Sequence, residues 1–215
     1  MKEFYKDYID NKLKLEKWQK VGIICLVIAI TGVIGWLYEF IFYFFNSGMK
    51  QWYMRGGNFL PWINIYAEGS LMIILLTRKL KKKPLLVFLV SAISTGILEY
   101  IAGFLMYHLK DGMRCWDYNT EILSWGSIDG FVCIRSVTIF GLFALVLMYG
   151  LLPLLIYIAK KSSKKPFLIF SISLCSIFLL DELYNLIIPV ITDLPRASRI
   201  YKNMGIKYMQ YYNNG

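Results

Sequence analysis

The sequence predicts an all-α fold, a polytopic membrane helix bundle of about five transmembrane helices plus an N-terminal interfacial helix, and three observations carry that expectation. Hydrophobic residues make up 57% of the 215-residue chain and charged residues only 18%, too few to coat a soluble domain. Apolar runs near twenty residues long recur between short basic connectors, and at ~1.5 Å per residue such runs cross a ~30 Å hydrocarbon core. They lack the alternation of barrel strands, and inside a bilayer only helices and closed barrels satisfy their own backbone hydrogen bonds.

Taken in order, the spans fall at residues 21–45, 60–77, 84–107, 132–159 and 166–190. The first run is too long for a signal-peptide core and has no small-residue cleavage pattern, so it reads as an uncleaved span. The second is short, opens on Pro61 and carries Asn64 and Glu68, which predicts a tilted or partly re-entrant segment. Ahead of the first span, Phe4, Tyr5, Tyr8, Ile9, Lys12, Leu13 and Trp18 recur near helical spacing between charges. That pattern fits a helix lying in the membrane interface with its apolar side down, or a solvated helix. The organisation expected is a cytoplasmic amphipathic helix over 1–20, the bundle over 21–191 and a polar C-terminal tail over 192–215.

The formal net charge is +10, but the Lys and Arg residues collect beside the spans, where they act as topology signals facing anionic lipid. No nucleic-acid partner is expected. Alternate segments hold fifteen Lys and Arg residues on the N-terminal side and eight on the other, which places the N-terminus in the cytoplasm. Cys25, Cys115, Cys133 and Cys175 form no CxxC pair, so neither a disulfide framework nor a zinc site follows. No metal or cofactor is expected.

Ionisable groups inside spans are expensive and turn toward other helices or a wet cavity. Six are present: Glu39, Glu68, Glu99, Arg135, Asp181 and Glu182. Glu99 and Asp181 each lie fifteen residues beyond a proline that opens their span, Pro84 and Pro166, so both should sit about 22 Å up from that side. Ala92, Gly96, Glu99 and Gly103 share one helix face, as do Gly32, Gly35 and Glu39, and small residues there admit a close neighbour. On the fifth span Ser171, Cys175, Glu182 and Asn185 mark the expected inward face. Five acids against one Arg are hard to neutralise by pairing, which points to a water-accessible cavity opening outward. The alternative is a set of protonated helix-bonding groups with others at headgroup level.

Two further patterns stand out. EFIFYF at 39–44 and EYIAGF at 99–104 match at several offsets on spans running in the same direction, a layout that parallel-repeat transporters use. In the connector 108–130, Trp116, Asp117 and Tyr118 stand together, followed by Trp125, Asp129 and Gly130. Such a set serves as an interfacial aromatic belt or holds a cationic or sugar-like group.

These motifs together carry a family resemblance. GWLYEF at 35–40, RGGNFLPWINIYAEGSL at 55–71, LEY at 98–100, CWDYN at 115–119 and GFVCI at 130–134, followed by Gly141 and Pro153, resemble the putative type IV ABC-transporter permease family over most of residues 31–159. Glu39, Tyr66, Gly69, Glu99, Tyr100, Trp116, Asp117, Tyr118, Gly130 and Cys133 match its pattern by position. Asn64 stands where that pattern favours proline, Ala67 where it favours glycine and Phe131 where it favours arginine, with Arg135 near enough to supply the missing charge. The resemblance implies a multi-pass protein of the bacterial cytoplasmic membrane.

The function expected is a permease-like subunit with an acidic outward-facing cavity for a small cation or a cationic or polar solute. The residues expected to bind it are Glu39, Tyr66, Glu68, Glu99, Tyr100, Trp116, Asp117, Tyr118, Arg135 and Glu182. The sequence holds no G-x-x-x-x-G-K-[ST] segment, so ATP-driven transport requires a separate ATPase subunit. The lipid bilayer and a second copy of the chain are the other partners considered. Two alternatives stay open: a membrane enzyme using paired carboxylates on a lipid-linked substrate, and a non-transporting interaction or sensory subunit. Against the enzyme, no catalytic residue is assignable, since the chain has no nucleophile motif and only His108 as a histidine.

Overall fold

The computed structural model describes residues 2–109, 112 and 114–208. Its helices are α1 (Lys2–Ile9), α2 (Lys17–Asn46), α3 (Asn64–Thr77), α4 (Pro84–Leu109), α5 (Ile134–Lys161), α6 (Lys164–Ile191) and α7 (Ala197–Asn203). Among the described residues there are no strands; isolated bridges join Met54 to Tyr208 and Ile128 to Val132. Helices α2, α4, α5 and α6 are long and apolar enough to cross a membrane, and many of their large side chains face outward, such as Ile169, Leu180, Leu186 and Val190 on α6. A lipid-facing surface has this character because it needs no polar coat.

The expected second span at 60–77 is a half-helix. With 14 residues, α3 rises only about 21 Å, and residues 55–63 precede it as irregular backbone. Helix α2 packs against α3, the later part of α5 and α6, while α4 packs against α3 and the first part of α5. Small residues set these approaches. A Cβ on Gly35 would overlap the Tyr66 ring, and one on Gly96 would fall 2.6 Å from Val137. The buried face of α4 runs through Ser91, Ala92, Thr95, Gly96, Glu99 and Gly103, the face its sequence spacing predicts.

The half of the bundle that carries α1, the N-side, is filled by Ile23, Leu26, Val27, Ile73, Val87, Ala144, Leu147, Met148, Leu155 and Phe167. Here α5 loosens into a π-helical turn, Leu147–Leu151, in which Leu152 N–H bonds the Leu147 carbonyl. Pro153 has no N–H to offer the Met148 carbonyl in that register, or the Tyr149 carbonyl in the ordinary one. Helix α1 supplies both: Tyr8 donates to the Met148 carbonyl at 2.5 Å and Tyr5 to the Tyr149 carbonyl at 3.2 Å.

The apolar side of α1 therefore packs on protein, with Tyr8 only 2% exposed. The expected helix over 1–20 also breaks. Asn11 adopts a left-handed φ of +57°, and α2 restarts behind a capping box between Glu16 and Gln19. Lys81, in the connector between α3 and α4, locks the arrangement by donating to the Tyr8 carbonyl at 2.5 Å with its ammonium 3.7 Å from the Tyr8 ring centre.

Candidate functional site

Opposite the N-side, at the far side, the irregular segment 55–63 is shaped by one carboxylate. Asp181 accepts hydrogen bonds from the Phe59 and Leu60 amides, both at 2.9 Å, from the Trp62 indole at 3.0 Å and from the Asn185 amide at 2.9 Å. These bonds make irregular backbone tolerable at membrane depth. The buried face of α6 is Phe167, Ser171, Cys175, Phe178, Asp181 and Asn185, so Asp181 occupies the inward position expected for Glu182. Glu182, about 100° further round the helix, is half-buried and accepts from the Asn58 amide at 3.1 Å.

Gly56 and Gly57 take φ values of +100° and +83°, a region open to glycine at little cost. This turn swings Arg55 back over α2, where it donates to Glu39 at 2.9 Å and lies 4.0 Å from the Tyr43 ring centre. The described part of the C-terminal tail closes over the same turn. Tyr208 accepts from the Gly57 amide at 2.6 Å and donates to the Arg55 carbonyl at 3.2 Å, while Tyr201 donates to the Phe59 carbonyl at 2.6 Å.

Two adjoining cavities, one larger than the other, lie among these polar groups. The larger, of about 330 Å³, is flanked by Leu98, Ala102 and Met106 of α4 and by Glu182, Asn185 and Leu186 of α6. Glu39, Arg55, Asn58, Asn64, Glu68, Cys115, Trp116 and Arg196 complete its polar lining. It thus combines three carboxylates with two guanidiniums. A smaller chamber of about 40 Å³ lies beside it, and Glu39, Ile65 and Trp116 line both.

The walls of the smaller chamber pair each acid with a tyrosine. Tyr66 donates to Glu39 at 3.3 Å, Tyr43 to Glu121 and Tyr118 to Glu99. Burial first, and then the neighbouring Glu99 carboxyl, hold the Tyr118 phenol well above its ordinary pKa, which keeps it a donor. Arg135 bonds Glu121 at 2.7 Å and lies 4.1 Å from the Phe42 ring centre.

Of the residues expected from sequence, Glu39, Glu68, Trp116 and Glu182 line the larger cavity, and Glu39, Tyr66, Glu99, Trp116, Tyr118 and Arg135 the smaller. Two stand apart from both. Tyr100 bonds Asp129 at 3.1 Å beside an apolar groove. Asp117 is buried in its own turn, accepting from the Asn119 amide at 3.0 Å with Arg114 at 3.8 Å. Sequence reasoning missed Arg55, Tyr43, Asn58 and Glu121. The charge balance changes accordingly, because two guanidiniums rather than one serve the buried acids. The Gly-Gly pair after Arg55 was the available signal for its return toward Glu39. Glu121 gave none, since a connector acid normally reads as solvated.

Fold and site define a multi-span membrane protein with a polar interior on one side. The family model described as Putative ABC-transporter type IV matches residues 26–186, and the chain belongs to that family. The matched range includes every residue of both cavities except Arg196. Comparison with curated proteins and with solved structures returned no match. Family and apolar helices together make this a transporter-like membrane protein.

Proposed function

We propose that the protein is a permease-like transport subunit whose larger cavity binds a small cation or a cationic, polar solute. The observation that carries this reading is the lining itself: Glu39, Glu68 and Glu182 converge on about 330 Å³ with Arg55 and Arg196 as the guanidiniums. Arg55 is committed to Glu39. Glu68 is exposed and Glu182 only half-buried, so both carboxylates are available to a guest. Apolar flanks beside a few convergent polar groups are the usual make-up of a small-molecule site.

The site lies away from α1, and the excess of Lys and Arg on the N-side favours a cytoplasmic position for that side. The cavity then belongs to the external half of the bundle in a bacterial cytoplasmic membrane. Energy from ATP would come through a separate ATPase. The connectors 78–83 and 160–165 are short, and α1 enlarges the surface they offer. Deleting residues 2–9 is then expected to release a co-purifying ATPase while the spans still insert.

The binding reading is tested by thermal unfolding of the purified protein with sodium, magnesium, choline and spermidine in turn. One of these cations is expected to raise the melting temperature in the wild type and to lose its effect in Glu68→Gln and Glu182→Gln. Absence of any cation-dependent shift, or an equal shift in both variants, would contradict it.

A further inference from the structure

Glu99 is 5% exposed, and its two oxygens are used unequally. Oε1 accepts from the Tyr118 hydroxyl, while Oε2 has no hydrogen-bond partner. The nearby Ser136 hydroxyl is already directed to the Cys133 carbonyl at 2.9 Å. A buried polar atom without a partner is costly, and this one belongs to a residue that lines the 40 Å³ chamber. About 10–15 Å³ suffices to hold a water molecule, so the chamber can be wet.

The charges around it decide what it takes up. From α2 come Tyr38, Glu39 and Tyr43, from α3 Tyr66, from α5 Arg135, and from the connector ahead of α5 Tyr118 and Glu121. Arg135 is paired with Glu121 at 2.7 Å, and Arg55, reaching in from the larger cavity, with Glu39 at 2.9 Å. Three carboxylates thus share two guanidiniums, and Glu99 is the one without a salt bridge among the described residues. One positive charge would balance the set.

A metal ion is poorly served here. Hard cations want about six or more oxygen ligands, whereas Phe42, Ile65 and Phe140 form much of the wall of this small chamber. A proton needs only the free oxygen and a route, and Glu39, which lines both cavities, stands on that route. We infer that Glu99 is a proton-binding site, loaded from the larger cavity past Glu39, and that solute movement through this protein is coupled to a proton. The coupling rests on the transport reading above; the proton site rests on the chamber alone.

The test is infrared difference spectroscopy of the full-length protein in liposomes, titrated between about pH 5 and 9. A protonated-carboxyl band that appears on acidification is expected in the wild type, in Glu68→Gln and in Glu182→Gln, and is expected to vanish in Glu99→Gln. Tyr118→Phe guards against misfolding of that variant: it keeps the band but moves its titration to higher pH, because Tyr118 donates to the charged form. A band that persists in Glu99→Gln, or no titrating band in the wild type, would each overturn the proposal. If the band fails while cation-dependent stabilisation survives, the proton site is wrong and the transport reading stands; the reverse result separates them the other way.

Discussion

The two halves of the bundle solve the same problem differently. On the N-side, the polar groups that enter the core serve the backbone: Tyr8 and Tyr5 complete the carbonyls freed by the π turn and Pro153, and Lys81 completes the Tyr8 carbonyl. At the far side, carboxylates meet tyrosines and guanidiniums around open volume, and one carboxyl oxygen is left over. Satisfied polar groups fix a structure, whereas surplus ones invite a guest. Depth alone therefore does not mark a functional acid. Asp181 and Glu99 both lie fifteen residues beyond a proline, yet Asp181 is spent on four donors and Glu99 on one.

That contrast predicts the sharpest loss at Asp181. Asp181→Leu strips the Phe59 and Leu60 amides and the Trp62 indole of their acceptor, at a cost of about 3 kcal/mol or more, and should show as a collapse of folded yield in detergent. Glu182→Leu, one position on, should be tolerated. Equal losses at the two positions would break the distinction between a pinned acid and an available one. Next comes Gly35→Val, which forces a methyl-bearing carbon into the Tyr66 ring and should destabilise by roughly 1–3 kcal/mol, read from the unfolding midpoint.

Tyr8→Phe sharpens the N-side half of the comparison. It leaves the Met148 carbonyl without its donor, a loss of about 1–2 kcal/mol, and should raise the rate of proteolysis between α1 and α2. The smallest effect concerns Lys81, whose burial lowers its pKa from 10.5 to about 8. Between those values the unfolded segment binds more protons than the folded one, so docking of α1 strengthens as pH rises from about 8 toward 10.5. Tryptic cleavage at Lys12 and Lys14 should slow over that range compared with Lys81→Gln, which should show no such trend.

Much of this was legible in the sequence because hydrocarbon imposes few solutions. Span lengths, the small-residue faces of α2 and α4, and the oddness of the segment opening on Pro61 all follow from local rules. What was hidden depended on tertiary returns. Arg55 reaches Glu39 only because two glycines reverse the chain. Glu121 is buried only because its connector folds inward beneath Arg135 and Tyr43. The seat of α1 on protein was equally unreadable, since it is set by carbonyls that Pro153 leaves free, 140 and 144 residues away.

The central claim is that the far half is lined by water-accessible carboxylates while the N-side half is dry. Cysteine labelling tests it directly, with Cys25, Cys115, Cys133 and Cys175 replaced by serine and a membrane-impermeant maleimide added to each side of sealed vesicles. Glu68→Cys and Glu182→Cys should label from the side opposite the N-terminus, and Ala144→Cys from neither. Both acid positions shielded from both sides, or Ala144→Cys labelled as readily as they are, would contradict the account.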